Sequence, residues 1–142
     1  IDFQPPPAPL ALRALPASWT NNNPITVTWT NPTDPAGIGG AYYKVGAAPT
    51  GNTDGVLVAG DNLTALAAAL PADGVHTVYV WLRDRAGNVD YTRYATTTVY
   101  IDTVPPGAPS FITADPAGWS NVNSFNVSWT KPAEPHGIAG AY

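Results

Sequence analysis

Residues 25–30 read Ile-Thr-Val-Thr-Trp-Thr, an unbroken alternation of apolar and polar side chains. Because successive side chains of a β-strand point to opposite faces, this period of two predicts a strand with one buried and one wet face. Ile25, Val27 and Trp29 form the apolar face. The stretch therefore favours a sheet that packs on one side against a second layer.

The same pattern returns 100 residues later, where residues 125–130 read Phe-Asn-Val-Ser-Trp-Thr. Residues 1–42 align with residues 101–142 without a gap, and 22 of the 42 pairs are identical. A fixed period of this kind is the signature of tandem modules. We predict two domains, a complete module over residues 1–102 and the N-terminal part of an equivalent module over residues 103–142, with a linker at 103–109.

Short apolar runs bounded by Pro, Gly, Asn and Asp predict about seven strands in the first module. The first, Pro9–Leu15, contains Pro and suits an edge, and the longest is His76–Asp84. Leu63–Leu70 is rich in Ala, as a helix would be, but the flanking turns leave only eight residues, and we predict a strand.

These strands predict an all-β fold, an immunoglobulin-like β-sandwich of about seven strands repeated every 100 residues. A small barrel is an alternative, and a propeller blade would need a shorter period, about 40–50 residues. The predicted core contains Trp19 or its neighbours, Ile25, Val27, Trp29, Tyr43, Val45, Val78, Val80, Leu82, Val99 and Ile101.

The charge pattern excludes several classes of partner. Charged residues make up only 11% of the chain, the net charge is −4, and the six Lys and Arg residues do not cluster. These features argue against nucleic acid, which is recognised through basic patches. No apolar run reaches the roughly 18 residues of a membrane span, so we expect no membrane insertion.

Two landmarks resemble a known family. Residues 71–88 contain an Asp-Gly turn, a long strand and the turn Asp84-Arg-Ala-Gly-Asn88, and residues 101–106 read Ile-Asp-Thr-Val-Pro-Pro. The module is similar to the bacterial Ig-like and fibronectin-III-like tandem repeats of extracellular surface proteins. That resemblance implies a β-sandwich and an extracellular or cell-surface location. The family often has Tyr where this chain has His76, which puts the hydroxyl-to-backbone bond of a tyrosine corner in doubt.

The inventory of reactive side chains argues against an enzyme. The chain has no Cys and only two His, His76 and His136, and position 36 of the first copy has Ala where the second has His136. No Ser-His-Asp set and no carboxylate pair in a cleft is indicated. We predict no catalytic residue and no cofactor.

Calcium is the one metal that the sequence brings into question. Asp84, Asn88 and Asp90 offer hard oxygen ligands around one turn, and Asp102 lies at the module junction, where related arrays sometimes hold Ca²⁺. The alternative is that these side chains only stabilise turns, because no Asp-x-Asp-x-Asp-Gly loop is present.

Strand alternation also places a set of aromatic side chains on the outer face of one sheet. The predicted interface residues are Tyr42, Tyr79, Trp81, Tyr94 and Tyr100. An exposed patch of this kind would pack against a neighbouring subunit or module, or stack on sugar rings. The third alternative is that the register is shifted by one residue and the rings form the core.

The partial module presents a different surface. Phe125, Val127 and Trp129 form an apolar face that residues 103–142 offer nothing to cover. We expect this face to be covered by another module or another copy. These features predict a non-catalytic structural protein, a tandem Ig-like repeat of an extracellular filament, stalk or adhesin that assembles through module contacts. The alternative is a carbohydrate-binding or spacer module of a secreted enzyme.

Overall fold

The structure, a computed structural model, describes all 142 residues. It contains nine strands in three antiparallel sheets and no helix, which confirms the predicted all-β class. No part of it is a helix with the length and apolar character that crossing a membrane requires. The chain divides into two compact units, Ile1–Thr103 and Val104–Tyr142, called unit 1 and unit 2 below.

Unit 1 contains seven strands in two sheets. One sheet has the order β1-β2-β5 and the other the order β4-β3-β6-β7. Apolar residues of both sheets belong to one core cluster, so the two sheets form the layers of a β-sandwich. The strands are β1 (Leu10–Leu15), β2 (Ile25–Thr30), β3 (Ile38–Val45), β4 (Val56–Ala59), β5 (Ala65–Ala68), β6 (Gly74–Asp84) and β7 (Ala95–Ile101).

The burial of β2 follows the alternation of its sequence. Ile25, Val27 and Trp29 are buried, and the Thr residues between them are exposed or half-buried. The inner faces of β6 and β7 close the core from the other sheet, with Val78, Val80, Leu82, Val99 and Ile101 all buried. The Ala-rich stretch forms β5, which pairs with β2, so the prediction of a strand there is confirmed.

The predicted core is wrong at Trp19 and incomplete elsewhere. Trp19 is 37% exposed, because it precedes β2 and packs against the ring of Tyr100 instead of entering the sandwich. The remaining predicted residues lie in the core cluster or, for Val45, pack against it. The cluster also contains Ala14, Ile38, Ala41, Leu66, Ala68 and Leu70.

Unit 2 consists of one antiparallel pair, β8 (Ser110–Asp115) and β9 (Asn126–Thr130), with the segments around it. In β1 and β2, Ala14 pairs with Val27 after a register shift between Leu10 and Arg13. In β8 and β9, Ala114 pairs with Val127 after a register shift between Ser110 and Thr113. The two pairs therefore share one register at an offset of 100 residues.

The fold makes a matched prediction on β6, where Val78 is completely buried and Val75 is 57% exposed. Val78→Ala should lower the free energy of unfolding by about 2 kcal/mol, because the lost methyl groups leave a cavity in the core. Val75→Ala should lower it by less than about 1 kcal/mol. Denaturant unfolding of both variants measures the difference, and equal losses would contradict the burial pattern.

Candidate functional site

One end of unit 1 is organised by Asp84, the only charged residue that the fold buries. Its side chain closes the turn to Asn88, whose backbone N–H donates to one carboxylate oxygen and whose side-chain Nδ2 donates to the other, both at 2.7 Å. Asn88 returns a backbone bond, since its carbonyl accepts the N–H of Asp84 at 3.1 Å. A buried carboxylate is tolerable when it is bonded in this way.

The same turn holds the N-terminal segment. Asn88 Nδ2 donates to the backbone carbonyl of Asp2 at 2.9 Å, and an Arg93 guanidinium nitrogen donates to the carbonyl of Pro5 at 2.6 Å. The backbone N–H of Ala36 bridges the carboxylates of Asp2 and Asp34, at 3.2 and 3.0 Å. The Asp84–Asn88 turn therefore ties the start of the chain to the end of β6.

Three carboxylates meet at this end. Oxygen atoms of Asp2, Asp34 and Asp84 lie within 4.8 Å of one another. Carboxylate oxygens are ligands that Ca²⁺ accepts, although Ca²⁺ takes six to eight oxygens and the cluster supplies three side chains. We call these residues the carboxylate cluster. Its hydrogen bonds already give each carboxylate a structural use in holding the turn and the N-terminal segment.

Only part of the predicted calcium set belongs to this cluster. Asp84 contributes a carboxylate and Asn88 bonds to it, as described. Asp90 is used elsewhere: its carboxylate accepts the N–H and hydroxyl of Thr92 and pairs with Arg93. The Thr92 hydroxyl, more than the other contacts, lowers the pKa of Asp90.

Asp102 lies at the other end of unit 1. It comes directly after Ile101, which pairs with Gly74 at the start of β6, whereas Asp84 ends that strand. Asp2 stands 100 residues before Asp102, at the same position of the repeat. Asp34 likewise stands 100 residues before a carboxylate, Glu134. The repeat is therefore the signal in the sequence that marks both Asp2 and Asp34.

The predicted exposed aromatic patch does not form. Its register is correct, because Tyr42 and Trp81 alternate with core residues on β3 and β6, face each other across the strands and stack at 5.4 Å. Their exposure was predicted wrongly: Tyr42 is 8% exposed and Trp81 is fully buried. The chain therefore buries aromatic rings on both faces of this sheet.

The loop of residues 46–55 accounts for the burial of Trp81. The indole N–H of Trp81 donates to the carbonyl of Asn52 at 3.1 Å, and the Asn52 side chain accepts the N–H of Tyr91 at 3.0 Å. A Cβ at Gly55 would lie 2.6 Å from the Trp81 ring and 2.6 Å from the carbonyl oxygen of Tyr43. Only glycine fits where the loop returns to the sheet.

An ion pair secures the loop. Lys44 donates to the carboxylate of Asp54 at 2.7 Å, and the same oxygen accepts the backbone N–H and the hydroxyl of Thr50, each at 2.8 Å. The bond from Lys44, together with the two weaker contributions from Thr50, lowers the pKa of Asp54 to about 2. The loop is thus closed by a carboxylate that stays ionised to a lower pH than an ordinary Asp side chain.

The other predicted interface residues form two separate pairs. Tyr79 and Tyr94 meet edge to face at 5.2 Å, and Tyr100 meets Trp19 at 5.5 Å with the rings tilted by 58°. Tyr94 is 38% exposed and Trp19 37%. The predicted interface residues therefore form separate ring pairs and not one continuous patch.

His76 has a structural contact at the start of β6. Its Nε2 lies 2.8 Å from the backbone carbonyl of Ala72, an acceptor, so this nitrogen carries the proton and donates. In a tyrosine corner a hydroxyl makes a bond of this kind to the backbone a few residues upstream. His76 provides an equivalent bond across the 72–76 turn.

In unit 2 the apolar face is open. Phe125, Val127 and Trp129 are 68%, 46% and 42% exposed. At about 25 cal/mol per Å² of apolar surface, covering three such side chains is worth several kcal/mol. This exposed apolar face is a second candidate site.

The sequence matches no protein-family model and no curated protein.

The carboxylate cluster generates a prediction at Asn88. Asn88→Ala removes the two bonds of the side-chain Nδ2, to Asp84 Oδ2 and to the Asp2 carbonyl, and keeps the backbone N–H bond to Asp84 Oδ1. It should lower the free energy of unfolding by about 1–3 kcal/mol, because a buried acceptor loses a partner. Asn22→Ala is the matched control, since Asn22 is exposed. Denaturant unfolding compares them. Equal stability of the Asn88 variant and wild type would show that the turn does not depend on this amide.

The loop generates a pH prediction. The pKa of Asp54 is about 2 in the folded protein and 3.8 is its ordinary value, so its ionised form contributes stability above about pH 4 that is lost as the pH falls towards 2. Asp54→Asn should therefore flatten the decline in unfolding free energy between pH 4 and pH 2, and Thr50→Ala should flatten it in part. Denaturant titrations at four pH values between 2 and 5 measure the effect. Parallel curves for wild type and Asp54→Asn would disprove the role of this carboxylate.

Proposed function

We propose that this chain is a non-catalytic structural protein, a tandem Ig-like repeat of an extracellular filament, stalk or adhesin. The observation that carries the proposal is the position of the two ends of unit 1. The N-terminal segment is bonded to Asn88, beyond the end of β6, and Ile101 pairs with Gly74 at its start. β6 has 11 residues and is about 33 Å long. The N-terminal segment and the C-terminal end of β7 therefore lie at opposite ends of unit 1.

Entry at one end and exit at the other is the arrangement that lets modules join one another in a line. A module of this kind holds its two neighbours in the chain apart by its own length. The Pro-rich stretch Val104–Pro109 also supports modules joined in a line, because adjacent Pro residues favour an extended spacer.

The strand order supports the Ig-like part of the proposal. β3, β6 and β7 are neighbours in one sheet, as strands C, F and G are in an Ig domain, and β2 and β5 are neighbours in the other, as B and E are. The shared register of β1–β2 and β8–β9 and the 22 identical residues support the tandem repeat.

The interior of unit 1 supports a structural use over catalysis. The core is filled by apolar side chains, and every buried side-chain nitrogen or oxygen has a hydrogen-bond partner. The charged residue that is buried, Asp84, is engaged by Asn88. A catalytic group lies in a cleft where it can contact a substrate. The contacts of Asp84 instead close the turn to Asn88.

The carbohydrate-binding alternative has weaker support. A sugar ring stacks on a flat, accessible aromatic surface. The coplanar pair, Tyr42 and Trp81, is buried, and the accessible pairs are tilted or edge to face. Module contacts through Tyr94 and Trp19 remain compatible with the structural proposal.

The proposal predicts resistance to force along the module. The N–H of Thr20 donates to Tyr100 and the N–H of Asp102 donates to Thr20, a parallel bridge between the segment after β1 and the final strand. Pulling at residues 1 and 103 loads such bonds together. We expect one abrupt unfolding step that lengthens the chain by roughly 300 Å, from about 3.3–3.6 Å per extended residue less the folded length.

The experiment is single-molecule pulling on the 142-residue chain with attachment through Ile1→Cys and Thr103→Cys, which are unique because the chain has no other Cys. The matched control attaches at Ala72→Cys and Thr103→Cys, at one end of the β6–β7 pair, so that bonds break one after another. The control should yield at a lower force. Gradual extension of the first variant, or equal forces in both, would count against a load-bearing module.

A further inference from the structure

Unit 2 has an open face and an open edge on the same strand. Phe125, Val127 and Trp129 of the β9 region are exposed on one face. β9 pairs with β8 alone, whereas β2 pairs with β1 on one side and with β5 on the other. An isolated pair of strands is marginally stable, and an unpaired edge offers its backbone groups to another strand.

Unit 1 shows what covers the equivalent surface. Ile25, Val27 and Trp29 are 1%, 0% and 6% exposed. They share the core cluster with residues of the four-stranded sheet, among them Val80 and Val99. The free edge of β2 is filled by β5, where Ile25 pairs with Ala68. The segment from β3 to β7 therefore covers the apolar face and the free edge of β2.

The two surfaces match in backbone as well as in sequence. The register is the same at an offset of 100 residues, and Ala11 and Phe111, in the register shifts, have φ of 50° and 51°. Because a shift of one residue would turn every side chain to the opposite face, equal register puts equivalent side chains on the same face.

A cavity of unit 2 is lined in part by the residues equivalent to the start of β3. In unit 2 a space of about 530 Å³ is lined by Trp129, Ile138 and Tyr142 together with Pro106, Pro109 and Pro132. Residues 138–142 read Ile-Ala-Gly-Ala-Tyr, and the first five residues of β3 read Ile-Gly-Gly-Ala-Tyr. In unit 1 the first and fourth of these residues, Ile38 and Ala41, are buried.

We propose that the open face and edge of β8–β9 are an acceptor for a four-stranded sheet with its accompanying edge strand, of the kind that β3 to β7 form in unit 1, with residues 138–142 as the start of its first strand. The partner is therefore a segment with the inward apolar pattern of Tyr43–Thr103. The inference rests on the proposed repeat and adds to it the identity of the binding partner and the surface that receives it.

The test extends the full chain after Tyr142 with a copy of its own residues 43–103, since Tyr142 is equivalent to Tyr42. Backbone hydrogen exchange of Asn126–Thr130 is measured with and without the extension. We expect exchange there to slow by at least about 100-fold, to the range of Ile25–Thr30, because it then requires opening a packed module. Unchanged exchange in β9 would overturn the proposal.

A control separates docking from a general effect of added length. The same extension carrying Val80→Asp in the appended copy has its inward pattern broken at a position that is fully buried in unit 1. Exchange in β9 should then stay at the level of the 142-residue chain, and protection by this variant would also overturn the proposal. Failure here leaves the pulling experiment on residues 1–103 unaffected, so the two proposals are tested separately.

Discussion

The structure depends on the burial of one face of β2 against a second sheet. Ile25, Val27 and Trp29 lose nearly all contact with water in unit 1, and the strands on both sides of β2 keep its register. Where the second sheet is missing, as in unit 2, the same alternation leaves the equivalent side chains exposed. The alternation of this strand therefore selects which side chains face the second layer, and their burial depends on the second sheet that packs on them in unit 1.

Much of unit 1 could be predicted because alternation and turn residues are local signals. They located β2, β6 and β7 and assigned inward and outward side chains correctly. Alternation of apolar and polar residues does not show whether another segment covers an outward side chain. For this reason the sequence predicts that Trp81 is exposed to solvent, although it is buried. Its cover comes from Asn52 and Gly55, about 26–29 residues away, and a loop closure of that kind has no periodic signature.

The carboxylate cluster illustrates the same limit at longer range. The sequence indicates Asp84 and Asn88 together because they lie in one recognisable turn. Asp2 and Asp34 join them only through the fold, and a charge pattern read along the chain gives no reason to combine them. The prediction of a core position for Trp19 is wrong for a different reason: Trp19 lies outside the alternating stretch, so no periodic pattern assigns its side chain to a face.

The tie between Asn88 and Asp2 has a consequence for the order of events during synthesis. The two residues are 86 positions apart, so the N-terminal segment has been made long before its partner exists. At about 5–20 residues per second, that delay is on the order of ten seconds. During this interval the first strands expose the same apolar face that β9 exposes in unit 2. In an array of such modules, each nascent module would therefore pass through a stage in which it resembles a free acceptor, next to neighbours that carry a fitting sheet. Finishing each module before the next emerges would protect such a chain from pairing with the wrong repeat.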